Sequence, residues 1–533
     1  MKYLKLFCLS FICVGWLTGC VFSDSETDSS GSTLPNIIVF MVDDMGWMDT
    51  SVPFHDQKMP LNELYHTPHM ESMAESGMKF RHAYAQPVCT PTRVSYLTGM
   101  NAARTRVTNW ISPHKNTPSD AKDSQFSPLS WNMNGLSTQS DTENTIHATP
   151  LPELLREKGY HTIHIGKAHW GSEGTPGADP LNLGFMKNIA GHAGGHPQSY
   201  LSRERFGNIP GKAQPQAVPD LEKYYDQEIF LTEALTREAI LAMETPVRNK
   251  EPFFLNMSHY ALHTPIMADQ RFVQKYYDLG IDSTEAQYAS LIEGMDKSLG
   301  DIMHFLDENN LTNQTVILFV SDNGGLDHHQ RAGDVNTHNH PLRSGKGSIY
   351  EGGIRVPMIV KWPAVISPGT STETPVIIED FFSSILEIAG IDSSNIPQKT
   401  DAVSFVPLLK NPDHDLSERP LIFHYPHAWI PISPDENLGI NYYSAVRMGD
   451  WKLIYRLRDQ SFQLYNIVTD IEEKNDLKNQ HPDKVRQLAQ ILGETLKSRG
   501  AQMPVDKNTG LPVPFPDEVS GVSEFERSSK NKL

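Results

Sequence analysis

Residues Pro35-Asn36-Ile37-Ile38-Val39-Phe40-Met41-Val42 form an unbroken apolar run rich in β-branched side chains. Such a run fits a strand covered on both faces far better than a half-exposed one, which would alternate with polar residues. A second run of this kind spans Thr315-Val316-Ile317-Leu318-Phe319-Val320, and strand patterns also occupy residues 160–165 and 252–260. Helical patterns over 67–77, 149–159, 226–244 and 284–309 fall between them, the last with Leu291, Ile292, Met295, Leu299 and Ile302 on one face. Alternation of this sort predicts an α/β fold, a large central sheet flanked by helices. Further strands are expected over 78–85 and 354–362, and a helix over 376–389. Past about residue 415 the pattern changes to closely spaced short strands at 443–448, 451–457 and 462–466, then a helix over 483–499, which predicts a small C-terminal subdomain over 416–502. Residues 503–533, rich in Pro, Ser and charge, read as a loosely held tail.

The residues just beyond the buried strands carry the chemistry. Open α/β sheets bind ligands past the carboxyl ends of their strands. The first strand ends in Asp43-Asp44 and the later one in Ser321-Asp322-Asn323. Asp43, Asp44, Asp322 and Asn323 offer only oxygen ligands, which suits Ca²⁺ or Mg²⁺ and not a zinc centre. The strand over 160–165 delivers Gly166-Lys167-Ala168-His169; on extended backbone Lys167 and His169 would point to one side. The strand over 252–260 leads to His259 and His263. Two long excursions, 109–147 and 172–220, cross the same face. The second holds His192 and His196, which could coordinate metal, contact substrate or simply support the loop.

Cysteine usage sets the compartment and singles out one residue. Cys8, Cys13 and Cys20 lie in an apolar N-terminus bearing Lys2 and Lys5, which reads as an export signal. It ends in Leu17-Thr18-Gly19-Cys20, which resembles a bacterial lipoprotein box and implies cleavage after residue 19 and a lipid anchor on Cys20. Residues 20–34 then form a tether. Cys89 is the only cysteine left in the folded body, and an exported protein normally uses cysteines in pairs. It stands in Val88-Cys89-Thr90-Pro91-Thr92-Arg93, followed by Thr98-Gly99. Pro91 favours the first turn of a helix, so Cys89 would sit at its mouth, a natural anion site, and Arg93 one turn in.

Cys-x-Pro-x-Arg with a following Thr-Gly resembles the signature of the type I sulfatases, in which the cysteine is oxidised to formylglycine. Gly-Lys-x-His at Gly166 to His169 and Arg343-Ser344-Gly345-Lys346-Gly347-Ser348, followed by Glu351-Gly352-Gly353-Ile354-Arg355-Val356-Pro357, match further elements of that family in the expected order. The resemblance spans roughly residues 35–480. It implies an alkaline-phosphatase-like fold with a large mixed sheet, the catalytic part over 35–415, and a bound ion that is usually calcium. It also implies metal ligation by Asp43, Asp44, Asp322, Asn323 and converted Cys89. Arg93, Lys167 and Lys346 would hold sulfate oxygens, Asp322 would activate the attacking hydroxyl of the hydrated aldehyde, and His263 would protonate the leaving oxygen. His169 would take the proton of the second hydroxyl as sulfate is expelled.

These readings fix the expected partners: a sulfated poly- or oligosaccharide, a formylglycine-generating maturation enzyme, and the bacterial envelope through Cys20, at the outer membrane or else in the periplasm. A formal charge of −18 over the 533 residues, about −20 once Lys2 and Lys5 are removed, argues against nucleic acid. A phosphodiester or phosphonate monoester hydrolase of the same superfamily is the nearest rival. A non-catalytic carbohydrate-binding lipoprotein is the rival from another class.

Overall fold

The computed structural model describes residues 34–327, 338–416, 418–429 and 438–519. The export signal, most of the tether and the expected lipidation position Cys20 lie outside the described residues. Among the described residues no helix is long and apolar enough to cross a membrane.

An eight-stranded mixed sheet forms the centre. In spatial order its strands are Thr370–Thr372, Met78–Phe80, Met358–Lys361, Thr315–Ser321, Asn36–Val42, Phe253–Ser258, His161–Gly166 and Lys187–Ile189. The last five are mutually parallel, while Met358–Lys361 runs antiparallel to Thr315–Ser321. Every residue of Asn36–Val42 is buried. The reason is the pleat: Ile38, Phe40 and Val42 enter one apolar layer with the helices Leu231–Asn249 and Ser283–Glu308, whereas Ile37, Val39 and Met41 enter the opposite layer with Cys89–Thr98 and Asp380–Ile388. Each fully covered Ile, Val or Phe contributes about 1.5–3 kcal/mol relative to exposure, so a slip of this strand is strongly disfavoured. Its register with both neighbours brings Met41 opposite Ser258 and Val42 opposite Ser321, which places three strand ends side by side.

The C-terminal subdomain is a four-stranded antiparallel sheet, Leu421–Tyr425, Tyr443–Met448, Trp451–Arg456 and Ser461–Asn466, with the helix Pro482–Arg499. Leu488, Leu492 and Leu496 of that helix cover Ile422, Val446 and Leu453 on one face. The other face, through Phe423, Ala445 and Ile454, packs on Tyr84, Ile349 and Ile354 of the catalytic part. The first of these strands, Leu421–Tyr425, was not expected from the sequence.

Four expectations are corrected. The strand over 78–85 is two strands, Met78–Phe80 and Ala83–Tyr84, which join different sheets. The strand over 354–362 is divided likewise into Arg355–Val356 and Met358–Lys361, because Pro357 supplies no N–H to a ladder. The helix over 376–389 begins only at Asp380, after the two-residue strand Val376–Ile377. The tail is not loose as far as residue 519: Met503 and Val513 are buried, Ser127 N–H donates to Val505 O at 2.9 Å, and Lys497 Nζ donates to Asp517 Oδ2 at 2.7 Å.

Candidate active site

Asp43, Lys167, His259 and Asp322 each lie just past the end of a parallel strand, on one edge of the sheet. Asp43, Asp44, Lys167, Asp322 and Asn323 are all fully buried. Lys167 Nζ donates to Asp43 Oδ2 at 2.7 Å, Lys346 Nζ donates to Asp44 Oδ1, and Arg93 Nε donates to Asp322 Oδ2 at 2.8 Å. Arg93 is fixed further by its Nη1, which donates to Ser258 Oγ at 2.7 Å and to Lys167 O at 3.0 Å. Three cations therefore converge on three carboxylates in a region closed to solvent. Burial raises the Asp43 carboxyl well above the usual carboxylate range despite Lys167, whereas Lys346, His263 and Lys167 outweigh burial at Asp44 and hold it below that range.

The helix Cys89–Thr98 starts at Cys89 and ends at Gly99, whose φ of +68° supplies the left-handed turn that closes it. Cys89 is 3% exposed, and its Sγ lies 3.5 Å from His169 Nδ1. Burial pushes the Cys89 thiol up, so it stays protonated and is a poor nucleophile as it stands. His169 Nδ1 also lies 3.2 Å from Thr90 Oγ1, and its Nε2 lies 2.9 Å from Ile111 O. Burial, with Lys167 and Arg93 nearby, keeps its imidazole neutral.

Lys167 and His169 both reach the site, but not by the alternation expected of extended backbone. The strand stops at Gly166, at φ +96°, and His169 itself sits at φ +57°. Asp44 is also left-handed, at φ +59°. Left-handed backbone at non-glycine residues is costly and concentrates where a surrounding structure imposes it for function.

His263 is set beside the carboxylates, its Nε2 3.7 Å from Asp44 Oδ2, and its side chain is 16% exposed. The ring of His196 stacks on it at 5.5 Å with an 8° interplanar angle. His192 accepts the His169 N–H on its backbone carbonyl at 3.2 Å and packs near Tyr260, so it is a partly buried wall residue. Sequence reasoning missed Ser258, Thr90 and Tyr200. Ser258 could have been found as the polar end of a buried strand; Tyr200, whose hydroxyl donates to the carbonyls of Tyr260 and His263 at 2.7 and 2.8 Å, had no such signal.

Asp43 Oδ1, Asp44 Oδ2 and Asn323 Oδ1 are buried and take no hydrogen bond. Buried carboxylate oxygens without donors are expensive unless a cation meets them. Asn323 Nδ2 donates to Asp44 Oδ1 at 2.9 Å and Asp44 N–H to Asp322 Oδ1 at 3.2 Å, which draws the two acidic loops together. Ligand atoms of Asp43, Asp44 and His263 also lie within 4.8 Å of one another. The donor set fits a hard divalent cation.

A family model described as Sulfatase matches residues 35–391, and one described as N-sulphoglucosamine sulphohydrolase, C-terminal, matches residues 344–502. A sulfatase of Formosa agariphila is 28% identical over 88% of this chain and 89% of its own length. The N-acetylgalactosamine-6-sulfatase of Mus musculus is 31% identical over 73% of this chain and 68% of its own. The solved structure of Ps i-CgsB in complex with k-i-k-neocarrahexaose superposes with a TM-score of 0.67 at 24% identity, covering 93% of this chain and 98% of that one. With the elements in order and the charged residues converged at the sheet edge, the chain belongs to the sulfatase family of the alkaline-phosphatase-like superfamily and is a sulfuric ester hydrolase.

Proposed function

We propose that this enzyme removes sulfate from a sulfated carbohydrate, with Cys89 converted to formylglycine and calcium held by Asp43, Asp44, Asp322 and Asn323. The observation that carries this reading is the buried set of three cations and three carboxylates around Cys89, with three carboxylate and amide oxygens left for a cation. Sulfated sugars are named for relatives on both sides: N-acetylgalactosamine-6-sulfatases by sequence, and structures solved with a neocarrahexaose and with D-glucosamine-2-N,6-O-disulfate.

Converted to a hydrated formylglycine, Cys89 would supply one hydroxyl to attack sulfur and a second whose loss of a proton would release sulfate, and a calcium ion held by Asp43, Asp44, Asp322 and Asn323 would supply positive charge to the sulfate oxygens. The remaining work falls to the chain. Arg93, Lys167 and Lys346 orient the anion and balance charge as it shifts between oxygens. Asp322, tied to the Cys89 helix through Arg93, accepts the proton of the attacking group. His263, whose side chain is 16% exposed beside Asp44, donates to the departing sugar oxygen. His169, neutral and 3.5 Å from Cys89 Sγ, receives the second proton. Mg²⁺ fits the same donors less well, since it demands a tighter octahedron.

The chain is further proposed to be exported and anchored to the bacterial envelope through Cys20, with residues 20–34 as tether, after maturation by a formylglycine-generating enzyme. The test of function is sulfate release from defined oligosaccharides, beginning with 6-sulfated N-acetylgalactosamine and carrageenan fragments. Loss of nearly all turnover in Cys89→Ala and Cys89→Ser supports the reading, and retained turnover in either rejects Cys89. An aryl phosphodiester run alongside separates sulfatase from phosphodiesterase action.

A further inference from the structure

We infer that Lys452, on the Trp451–Arg456 strand of the C-terminal subdomain, is a positioning residue for the catalytic loop that carries Lys346. The inference rests on the reading of Lys346 as a sulfate-holding cation.

Lys452 is fully buried, and its Nζ donates to Glu351 Oε1 at 2.9 Å and lies 2.8 Å from Glu473 Oε1. Glu473 Oε2 accepts the backbone N–H of Glu351 at 2.7 Å, and Tyr84 Oη donates to Glu351 Oε2 at 2.7 Å. All four of these side chains are buried. They sit at the root of the loop 343–354, and that loop is sewn by its backbone to both halves of the site.

On the metal side, Lys346 N–H donates to Gly325 O and Gly324 N–H to Gly353 O, each at 2.9 Å. On the other side, Gly347 N–H donates to Pro87 O and Ala85 N–H to Ile354 O, each at 2.8 Å, so the loop also fixes the approach to Cys89. The Glu351 side chain reaches Tyr84 and Lys452 together. A buried carboxylate stays where its cation is, because separation from that partner in a low-dielectric interior is strongly opposed. Removing the ammonium leaves Glu351 beside Glu473 with the more distant Arg355, its Nη1 3.6 Å from Glu351 Oε2, as the remaining paired cation, and the relaxation open to Glu351 is a shift of its own loop. Misplacement of a positioning element by about 1 Å can cost on the order of 10²-fold in rate.

The experiment compares wild type, Lys452→Met, Tyr84→Phe and Leu492→Ala in the mature, calcium-loaded enzyme. Leu492 is buried between the C-terminal helix and sheet, so its truncation loosens the subdomain without touching the Lys452 network. Turnover of an aryl sulfate, inhibition by inorganic sulfate, and amide hydrogen exchange of peptides covering 84–89 and 343–354 are the readouts. Lys452→Met should lower kcat by about 10²-fold, weaken sulfate inhibition and speed exchange in both peptides. Tyr84→Phe, which loses one hydroxyl, should do the same to a smaller extent and decides the matter if Lys452→Met does not fold. Leu492→Ala should lower the melting temperature with kcat and both peptides unchanged. Wild-type kcat, sulfate inhibition and exchange in folded Lys452→Met or, failing that, Tyr84→Phe would overturn the inference. Faster exchange with unaltered sulfate inhibition would instead reject the role of Lys346 while leaving Lys452 as the anchor of the loop.

Discussion

Lys167 Nζ and Asp43 Oδ2 meet at 2.7 Å at the ends of two strands separated by a third, both side chains fully buried. The pair ties the first acidic loop to the Cys89 side of the site. Removing one member of such a pair costs about 3–5 kcal/mol, because the other is left as an uncompensated buried charge. Lys167→Met should therefore lower the melting temperature most when calcium is chelated, and added calcium should restore part of the loss. Thermal melts with and without chelator check this; equal losses in both conditions would show that the ion does not reach Asp43.

Gly324 N–H donates to Gly353 O, and a Cβ on Gly324 would stand 1.8 Å from Gly352 O. Backbone presses on backbone there, so no side chain can rotate away. Gly324→Ala should separate the metal loop from the Lys346 loop and reduce kcat/KM by about 10²-fold or more, with weaker calcium binding by titration.

If His263 protonates the leaving oxygen, its worth depends on how badly that oxygen needs a proton. His263→Ala should lower turnover of a sugar sulfate by about 10²–10⁴-fold while sparing a nitrophenyl sulfate, whose phenolate leaves unaided. His196→Ala, which removes the stacked ring, should act mainly on KM for the sugar. Equal loss on both substrates would remove His263 from the acid role.

Glu379 is buried beside Asp380, and its carboxyl is pushed up to about 7, chiefly by burial and then by that neighbour. Its Oε1 accepts from Asn101 Nδ2 at 2.8 Å. The native state thus holds this proton more tightly than the unfolded chain, where the group titrates near 4.5. Its contribution is complete below the unfolded value and is lost as pH rises to about 7, up to about 3 kcal/mol in all. Glu379→Gln should consequently gain melting temperature relative to wild type between pH 5 and pH 8. A difference independent of pH would contradict this.

Much of the site was legible because its residues stand where buried runs stop. Asp43, Lys167 and Asp322 each follow an apolar strand, and Cys89 and Arg93 share one helix, so position in the chain pointed to them while family resemblance gave them their roles. Lys346 was legible only through family resemblance, since the loop that carries it has no periodicity of its own. The two divided strands were misread because Pro357 interrupts pairing inside an apolar run, and because Arg81 and His82, which turn the chain, stand between apolar residues on both sides. The Lys452–Glu351–Glu473 network was invisible, since charged residues some twenty to a hundred positions apart give no sign that they will be buried together.

The packed stretch beyond residue 502 has a bearing on how the protein should be handled. Because Asp517 holds Lys497 and Val505 pairs with Ser127, shortening a recombinant chain to the family-matched limit at 502 would strip a clasp from the last helix and bare its apolar flank. Affinity handles belong after residue 519, and libraries of trimmed variants should keep that boundary intact.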